Sequence, residues 1–489
     1  MNIIEEIQKK GYLLTPDALE YLKTSVDAEE IARRAMEEAK GKLVIEKKDL
    51  EQKQKAKEVI REEAKAIVEF TSFKPIGKEV SAEVKIIGNN VTSKSTSTGK
   101  LEDFVSYFNS RYEKISEMLK KRGQHPYKKI ENLRSGYEKV KVIGIFNEKR
   151  TTKNGHVLMN IEDPTGTLNV LIPKSNKRLL EFSANIINDE IIAVEGRLSK
   201  ELFIADEIYQ PEIPIRPVKT TEDDIAIVLT SDMHIGSKLF MKKNFENFLE
   251  WLHGKRGNEK QRKLAEKVKY LTISGDNVDG IGIYPTQEEE LEESDIFKQY
   301  EMLEDYLLKV PDYIHIVLAP GNHDAVKTAD PQPQLTKELV PRLYESKDVT
   351  LIGSPTMVEI HGLKQLIYHG TCFVDFVNAL PTASFDKGSE IMTEMLKRRH
   401  LHPIYGGKPI TPEKEDYLVI EQVPDIFQAG ESHNNSYKIY RGTININAGT
   451  WQALTEYQVK QGHKATPAIV PVIETKYGRI NAIHFDKQV

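Results

Sequence analysis

At 489 residues, 39% hydrophobic and 29% charged, the chain has the composition of a folded globular protein with room for about three domains. A formal net charge of −5 excludes nucleic-acid binding by bulk electrostatics, so any such affinity has to come from local patches or a partner. One cysteine, Cys372, excludes an internal disulfide and fits a reducing, cytoplasmic setting, while the absence of a run of about 18 apolar residues and of a signal-peptide pattern argues against a membrane span or export.

Residues 1–40 read as a small helical module. Ile3, Ile4 and Ile7, then Tyr12, Leu13 and Leu14, fall on apolar stripes. Thr15-Pro16-Asp17 is a helix start, and Leu19, Leu22 and Val26 continue a second helix. Residues 41–100 read as a charged, flexible linker. EKKDLEQKQKAKEVIREEAKA alternates in sign, as a solvated helix or a mobile segment would, and 91–100 is rich in Ser and Thr. Residues 101–122 return to helical spacing through Phe104, Val105, Phe108, Tyr112, Ile115 and Leu119, predicting a packing helix.

Five strands follow between about 136 and 212. An Asp163-Pro164-Thr165-Gly166 turn joins the second to the third, and a helix-compatible stretch, 176–185, separates the third from the fourth. That order matches an OB-fold β-barrel, so 101–223 is expected to be a helix plus an OB-fold. Such a barrel serves either single-stranded nucleic acid or protein docking, and its few clustered aromatics favour docking. Residues 224–489 alternate strands and amphipathic helices, then lose the long crossovers, which predicts an α/β sandwich of two sheets flanked by helices.

The apolar strands of this last region end in polar tips. IAIVLTS leads to Asp232 and His234, YLTISG to Asp276, IHIVLAPG to Asn322, His323 and Asp324, KQLIY to His369, and DIFQAGES to His433. Taken singly, each is an ordinary loop or turn residue. Five successive strand ends carrying the same class of group point to one shared site at the carboxyl edge of the sheets. Carboxylate, imidazole and amide oxygen together suit Mn, Fe, Zn or Ni rather than the all-oxygen shells of Mg or Ca. A pair of such divalent ions clamps the attacking and leaving oxygens of a phosphoester displacement, with Asp276 the natural bridging carboxylate and a histidine to protonate the leaving oxygen.

The order Asp-x-His, Gly-Asp, Gly-Asn-His-Asp, His, Gly-x-x-His resembles the calcineurin-like metallophosphoesterases. The resemblance implies Asp232, His234, Asp276 and His433 on one metal and Asp276, Asn322 and His369 on the other. It implies His323 as the catalytic acid, oriented by Asp324. The flanks GDNVDGIGIYPTQEEEL, PGNHDAVKTADPQPQL and IYGGKPITPEKEDYLVIEQVPDIF resemble the small-subunit family of archaeal family-D DNA polymerases, over about residues 101–489 and more loosely the N-terminal helices. That likeness implies a 3′-to-5′ exonuclease of proofreading character using two transition ions, Mn2+ foremost. It implies a DNA substrate, a large polymerising subunit as partner, and a sliding clamp as a further candidate partner.

One position departs from the superfamily's closing Gly-His-x-His: here it is Gly430-Glu431-Ser432-His433. Glu431 either binds the second metal through oxygen or weakens it and slows the enzyme. A catalytically silent scaffold and a stand-alone phosphatase are the competing readings, and the latter leaves the barrel and the N-terminal helices unexplained. The basic run Arg398-Arg399-His400 is weighed as a phosphate contact against a solvated face. Gln332-Pro333-Gln334 is weighed as the mouth of the site against a rigid turn.

Overall fold

A computed structural model describes residues 3–25, 28–38, 44–50, 73–455, 458 and 464–486. Val26 and the charged stretch 51–66, read above as helix and linker, lie outside the described residues. The chain divides into two compact units, Met1–Lys74 and Pro75–Val489.

In the first unit, helices Ile3–Lys9, Pro16–Thr24 and Ala28–Glu38 accompany a short parallel pair, β1 (Leu13–Leu14) and β2 (Val44–Ile45). Pro16 opens its helix where the missing N–H costs nothing. Ile7, Ala18, Leu22 and Ala32 form the core, joined by Ile45 and Leu50, which lie beyond the expected limit at residue 40.

The second unit begins with a departure from expectation. Val84–Gly88, placed above within a flexible linker, forms β3, which pairs antiparallel with β13 (Thr356–Ile360). Farther on, the Ser/Thr-rich stretch is tied down by the buried Glu413, which accepts from Thr96 N at 3.0 Å and Ser97 N at 3.3 Å. Helix Leu101–Lys120 then leads into a closed five-stranded barrel of order β4-β5-β6-β8-β7. Its strands are Val140–Thr151, Val157–Asp163, Gly166–Ile172, Ile191–Ser199 and Leu202–Tyr209 for β4 to β8. Alternate residues such as Met159 and Ile161, or Leu168, Val170 and Ile172, face the barrel core, as the period of two requires. Helix Lys177–Ala184, capped by Asn176, adds Leu179 to that core.

Two six-stranded sheets make up the rest. The first runs β12-β11-β10-β9-β18-β19 and the second β16-β17-β15-β14-β13-β3, where β16 is Ser436–Tyr440, β18 Ile469–Glu474 and β19 Arg479–His484. In the first, β9 (Ala226–Thr230), β10 (Val268–Ser274), β11 (His315–Ala319) and β12 (Val349–Leu351) are parallel. In the second, β14 (Leu363–Ile367), β15 (Ile426–Ala429) and β17 (Thr443–Asn447) are parallel. Ile227 and Leu229 of the first sheet pack against Val358, Ile367 and Ile446 of the second, so the sheets meet face to face. Phe376, Met392 and Met395 from helices Phe373–Ala379 and Gly388–Arg398 cover Leu366 and Phe427 on the second sheet. Helix Lys242–Leu252 packs Phe245 and Phe248 onto Trp451.

A buried ion pair locks helix Leu101–Lys120 to this body. Arg111 Nε donates to Asp416 Oδ2 at 2.7 Å, Nη1 to Pro403 O at 2.7 Å and Nη2 to Tyr107 OH at 3.1 Å. Burial alone would raise the Asp416 pKa, but His400 and Arg111 outweigh it and hold the carboxyl below its usual range. Removing one partner leaves a buried charge uncompensated, so Asp416→Ala should cost about 3–5 kcal/mol of unfolding free energy. Both tryptophans, Trp251 and Trp451, lie in this unit, and their fluorescence during denaturant titration reads the loss. With a depressed folded pKa, the contribution of Asp416 is present above the ordinary carboxylate range and fades as the pH falls through about 4 and below.

Candidate metal centre

Because β9, β10 and β11 run parallel in one sheet and β14 and β15 in the other, the carboxyl ends of each set share an edge. The residues just past those ends turn sharply. Asp232, His234, Asp276, Glu431 and His433 all have left-handed backbone, with φ between 48° and 64°. Each such residue costs roughly 1–3 kcal/mol unless its surroundings hold it. They are held: Asp232 N donates to Gly275 O at 2.9 Å, His234 N to Asp276 O at 3.0 Å and Gly430 N to His369 O at 2.8 Å. Glycine is required beside them. A Cβ on Gly430 would land on Ser231 Oγ and Asp232 Oδ2, and one on Gly321 would land on Asp276 Oδ1.

Three overlapping groups of side chains result among the described residues: Asp232, His234 and His433, then Asp232, Asp276 and His369, and third His234, Asp279 and His323. In the first, the Nε2 atoms of His234 and His433 lie 3.1 Å apart, and His433 Nε2 is 3.3 Å from Asp232 Oδ1. Two imidazole nitrogens at that separation suit a shared ion bound at about 2.1 Å from each. In the second, His369 Nε2 lies 3.2 Å from Asp276 Oδ2 and 3.1 Å from Glu431 Oε2. Asn322 Oδ1 and His369 Nε2 are buried without a hydrogen-bond partner among the described residues. Orphaned buried donor atoms of this kind fit a cation.

The outer nitrogens of the rings are committed. His234 Nδ1 meets Asp279 Oδ1 at 3.0 Å, His369 Nδ1 donates to Ser274 O at 2.9 Å, and His323 Nδ1 to Asp279 O at 2.8 Å. With Nδ1 so engaged, Nε2 is the nitrogen of each ring left to meet the cleft. Burial would raise the Asp276 pKa, but His369 and His323 outweigh it and keep the carboxyl ionised. Burial opposes charge on His323, yet Asp276 and Asp279 overcome it and raise its pKa. In His234 burial prevails and the pKa falls, which favours the neutral ligand form.

The structure thus brings Asp232, His234, Asp276, His369 and His433 together, with Glu431 against His369. Asn322 and His323 line the same cleft, a cavity of about 130 Å3. Asp324 behaves otherwise than expected. It does not touch His323 but accepts from Gly321 N at 2.8 Å, Asn277 Nδ2 at 2.9 Å and Tyr300 OH at 3.0 Å, bracing the loop from beneath. Burial and then Asp276 push its pKa up to about 6. The residue that holds the His323 and His234 rings is Asp279, which sequence reasoning missed. Its signal was a second acid three residues after Asp276. Asp279 also accepts from Gln452 Nε2 at 3.0 Å and Gln287 Nε2 at 3.0 Å.

The basic run is no phosphate contact. Arg398 is buried against Glu190 and Glu394, Arg399 donates to the carbonyls of Ile420 and Glu421, and His400 meets Asp416 at 2.9 Å. Gln332 is likewise fully buried and pairs its backbone with Ser354.

Fold and site together define an α/β protein whose cleft gathers acidic and histidine groups that could hold a metal ion. Residues 227–438 match the B-subunit family of DNA polymerases alpha and epsilon. The chain is 39% identical over 480 residues to the DNA polymerase II small subunit of Archaeoglobus fulgidus, covering 96% of this chain and 95% of that one. It is 40% identical over 408 residues to the Methanocaldococcus jannaschii protein of the same description, covering 82% and 68%. The Methanothermobacter thermautotrophicus counterpart is 39% identical over 390 residues, covering 79% and 80%. The chain belongs to this family, the small subunits of the archaeal family-D DNA polymerase.

Ion binding in the cleft should stabilise the fold by mass action. Mn2+ at a hundred times its Kd should add about 2.7 kcal/mol, read as an upward shift in Tm that EDTA reverses. Asp276→Asn, which lacks the central charge, should lose most of that shift.

Proposed function

We propose that the chain is the nuclease subunit of a heterodimeric archaeal replicative polymerase, removing nucleotides from DNA 3′ ends beside a large polymerising subunit. The carrying observation is the convergence of Asp232, Asp276, His369 and His433 with an imidazole, His323, aimed at the same cleft. On this reading the two-sheet body, 224–489, is a calcineurin-like phosphoesterase, and 101–223 is a helix plus an OB-fold that helps dock the partner. Asp232, His234, Asp276 and His433 would hold one divalent ion, and Asp276, Asn322, His369 and Glu431 the other. Such a pair supplies Lewis-acid stabilisation of phosphoryl charge and a water of lowered pKa.

The protein's own groups do the rest. Asp276 sets the charge at the centre of the site. Asp279 fixes the ring planes of His234 and His323 through opposite atoms, its carboxylate and its carbonyl. His323, held at Nδ1 by the Asp279 carbonyl and lining the cleft, would be the group to pass a proton to the departing 3′ oxygen. Glu431 shifts the donor set toward oxygen, which favours Mn2+ over softer ions.

A second reading, a silent scaffold, draws on one observation. Glu431 Oε2 and His369 Nε2 lie 3.1 Å apart, close enough to balance each other's charge as an ion pair when the ring is protonated, although they form no hydrogen bond. Metal analysis separates the two: about two transition ions per chain supports catalysis, and none supports the scaffold.

The activity test is Mn2+-dependent release from 3′-labelled DNA, matched and mismatched, by the chain assembled with the large subunit. His323→Ala should slow release by roughly 10²–10⁴-fold while leaving the Mn2+-induced Tm shift in place. Wild-type release no greater than that of the variant would refute the nuclease reading. Asp279→Ala should lower Mn2+ affinity about 10–100-fold, measured by calorimetry.

A further inference from the structure

The wall of the cleft carries one phenol ring. Among the described residues that line it, Tyr284 alone has a ring other than an imidazole; the rest offer imidazoles, carboxylates, amides and a hydroxyl. The longer amides are occupied. Gln452 Nε2 donates to Ser237 Oγ and Asp279 Oδ1 at 3.0 Å each, and Gln458 Nε2 meets His433 Nδ1 at 2.9 Å. Tyr284 is half-buried, and its ring centroid stands 6.3 Å from that of His323 with the planes inclined at 56°. The cleft itself, about 130 Å3, is smaller than the roughly 300–1,000 Å3 that encloses a drug-sized ligand, so it takes a phosphate and leaves a nucleobase at its rim.

The loop that presents this ring is braced from several sides. Gly280 and Gly282 take left-handed backbone, with φ of 74° and 72°, and a Cβ on Gly280 would land on His323 O. Gln287 Nε2 donates to Asp279 O at 2.8 Å and to Asp279 Oδ2 at 3.0 Å, and its Oε1 accepts from Ile283 N at 2.9 Å. One amide therefore reaches both the acid that holds the His323 ring and the residue next to Tyr284. The Tyr284 hydroxyl donates to Glu290 Oε2 at 2.8 Å. Burial and that bond raise the phenol's pKa, so it stays neutral with its proton engaged. What Tyr284 offers a substrate is the face of its ring rather than acid chemistry. A fixed aromatic face suits a nucleobase, because every base has a π-face and stacking tolerates any sequence.

We infer that Tyr284 is a specificity-determining residue whose ring stacks on the base of the penultimate nucleotide, the one next to the nucleotide removed. The inference rests on the nuclease reading above, in which His323 faces the departing 3′ oxygen. That oxygen belongs to the penultimate nucleotide. A ring beside His323 therefore lies on that nucleotide's side of the phosphate.

The test uses the full-length chain assembled with the large subunit, Mn2+, and labelled single strands that carry a base-free tetrahydrofuran residue at the last or the penultimate position. Wild type should lose about 10–100-fold in kcat/KM, chiefly through KM, when the penultimate base is missing, and less when the last one is. Tyr284→Ala should show that loss on normal strands and no further loss when the penultimate base is absent. Tyr284→Phe, which keeps the ring, should match wild type within about twofold. Both variants should keep the wild-type Tm and Mn2+ shift, and the wild-type comparison needs no variant at all. If wild type releases nothing from normal strands, the nuclease reading falls and takes this inference with it. If wild type cleaves normal strands but ignores the penultimate base or responds more to the last one, or if Tyr284→Ala still responds to the penultimate base, the stacking inference alone is overturned.

Discussion

Four carboxylates, Asp232, Asp276, Asp279 and Glu431, crowd into one largely buried cleft, and most of the architecture is an answer to that crowding. Like charges in a poorly solvated site repel strongly unless cations or hydrogen-bond donors lie among them. Imidazoles supply part of the compensation, with His369 against Asp276 and His433 against Asp232. Backbone amides supply more: Glu431 N lies 3.2 Å from both oxygens of Asp232, and His323 N donates to Asp276 Oδ1 at 2.9 Å. What remains is a negative cleft whose nitrogen and oxygen atoms could hold a divalent ion.

The two sheets serve that centre directly. A buried polar cluster ties them together just behind it. Gln428 Nε2 donates to the carbonyls of Thr230 and Thr272 at 3.0 Å each, and Thr272 Oγ1 donates to Gln428 Oε1 at 2.6 Å. Such a network is satisfied in only one register, so it fixes how strand ends from one sheet face those of the other. The loops that carry the cleft residues therefore start from fixed positions even though residues 232 and 433 are far apart in sequence.

Much of this was legible from residues alone, because apolar strands ending in Asp, His or Asn are an unusual pattern and parallel topology converts order into proximity. What escaped did so for physical reasons. Strand β3 is five residues long and borrows its stability from β13, some 270 positions away, which local pattern cannot reveal. Asp324 sits next to His323 in sequence, but the loop sends the two side chains in different directions. Asp279 acts through a turn whose shape is set by Gln287, Gln299 and Gln452, and amides scattered through the chain carry no motif. Arg398 and Arg399 look like surface charge in sequence, yet Glu190 and the carbonyls of Ile420 and Glu421 allow them to be buried.

The left-handed backbone at Asp232, His234, Asp276, Glu431 and His433 has a bearing on how the chain tolerates change. At each of these five positions glycine would relax the main chain, while removal of the side chain would also relieve the repulsion among the crowded carboxylates at the cost of the buried hydrogen bonds it makes. Where the first two effects exceed the third, a variant selected in the laboratory only for heat resistance should drift toward an emptied cleft. Thermal robustness and the ability to hold ions pull in opposite directions at the same few residues.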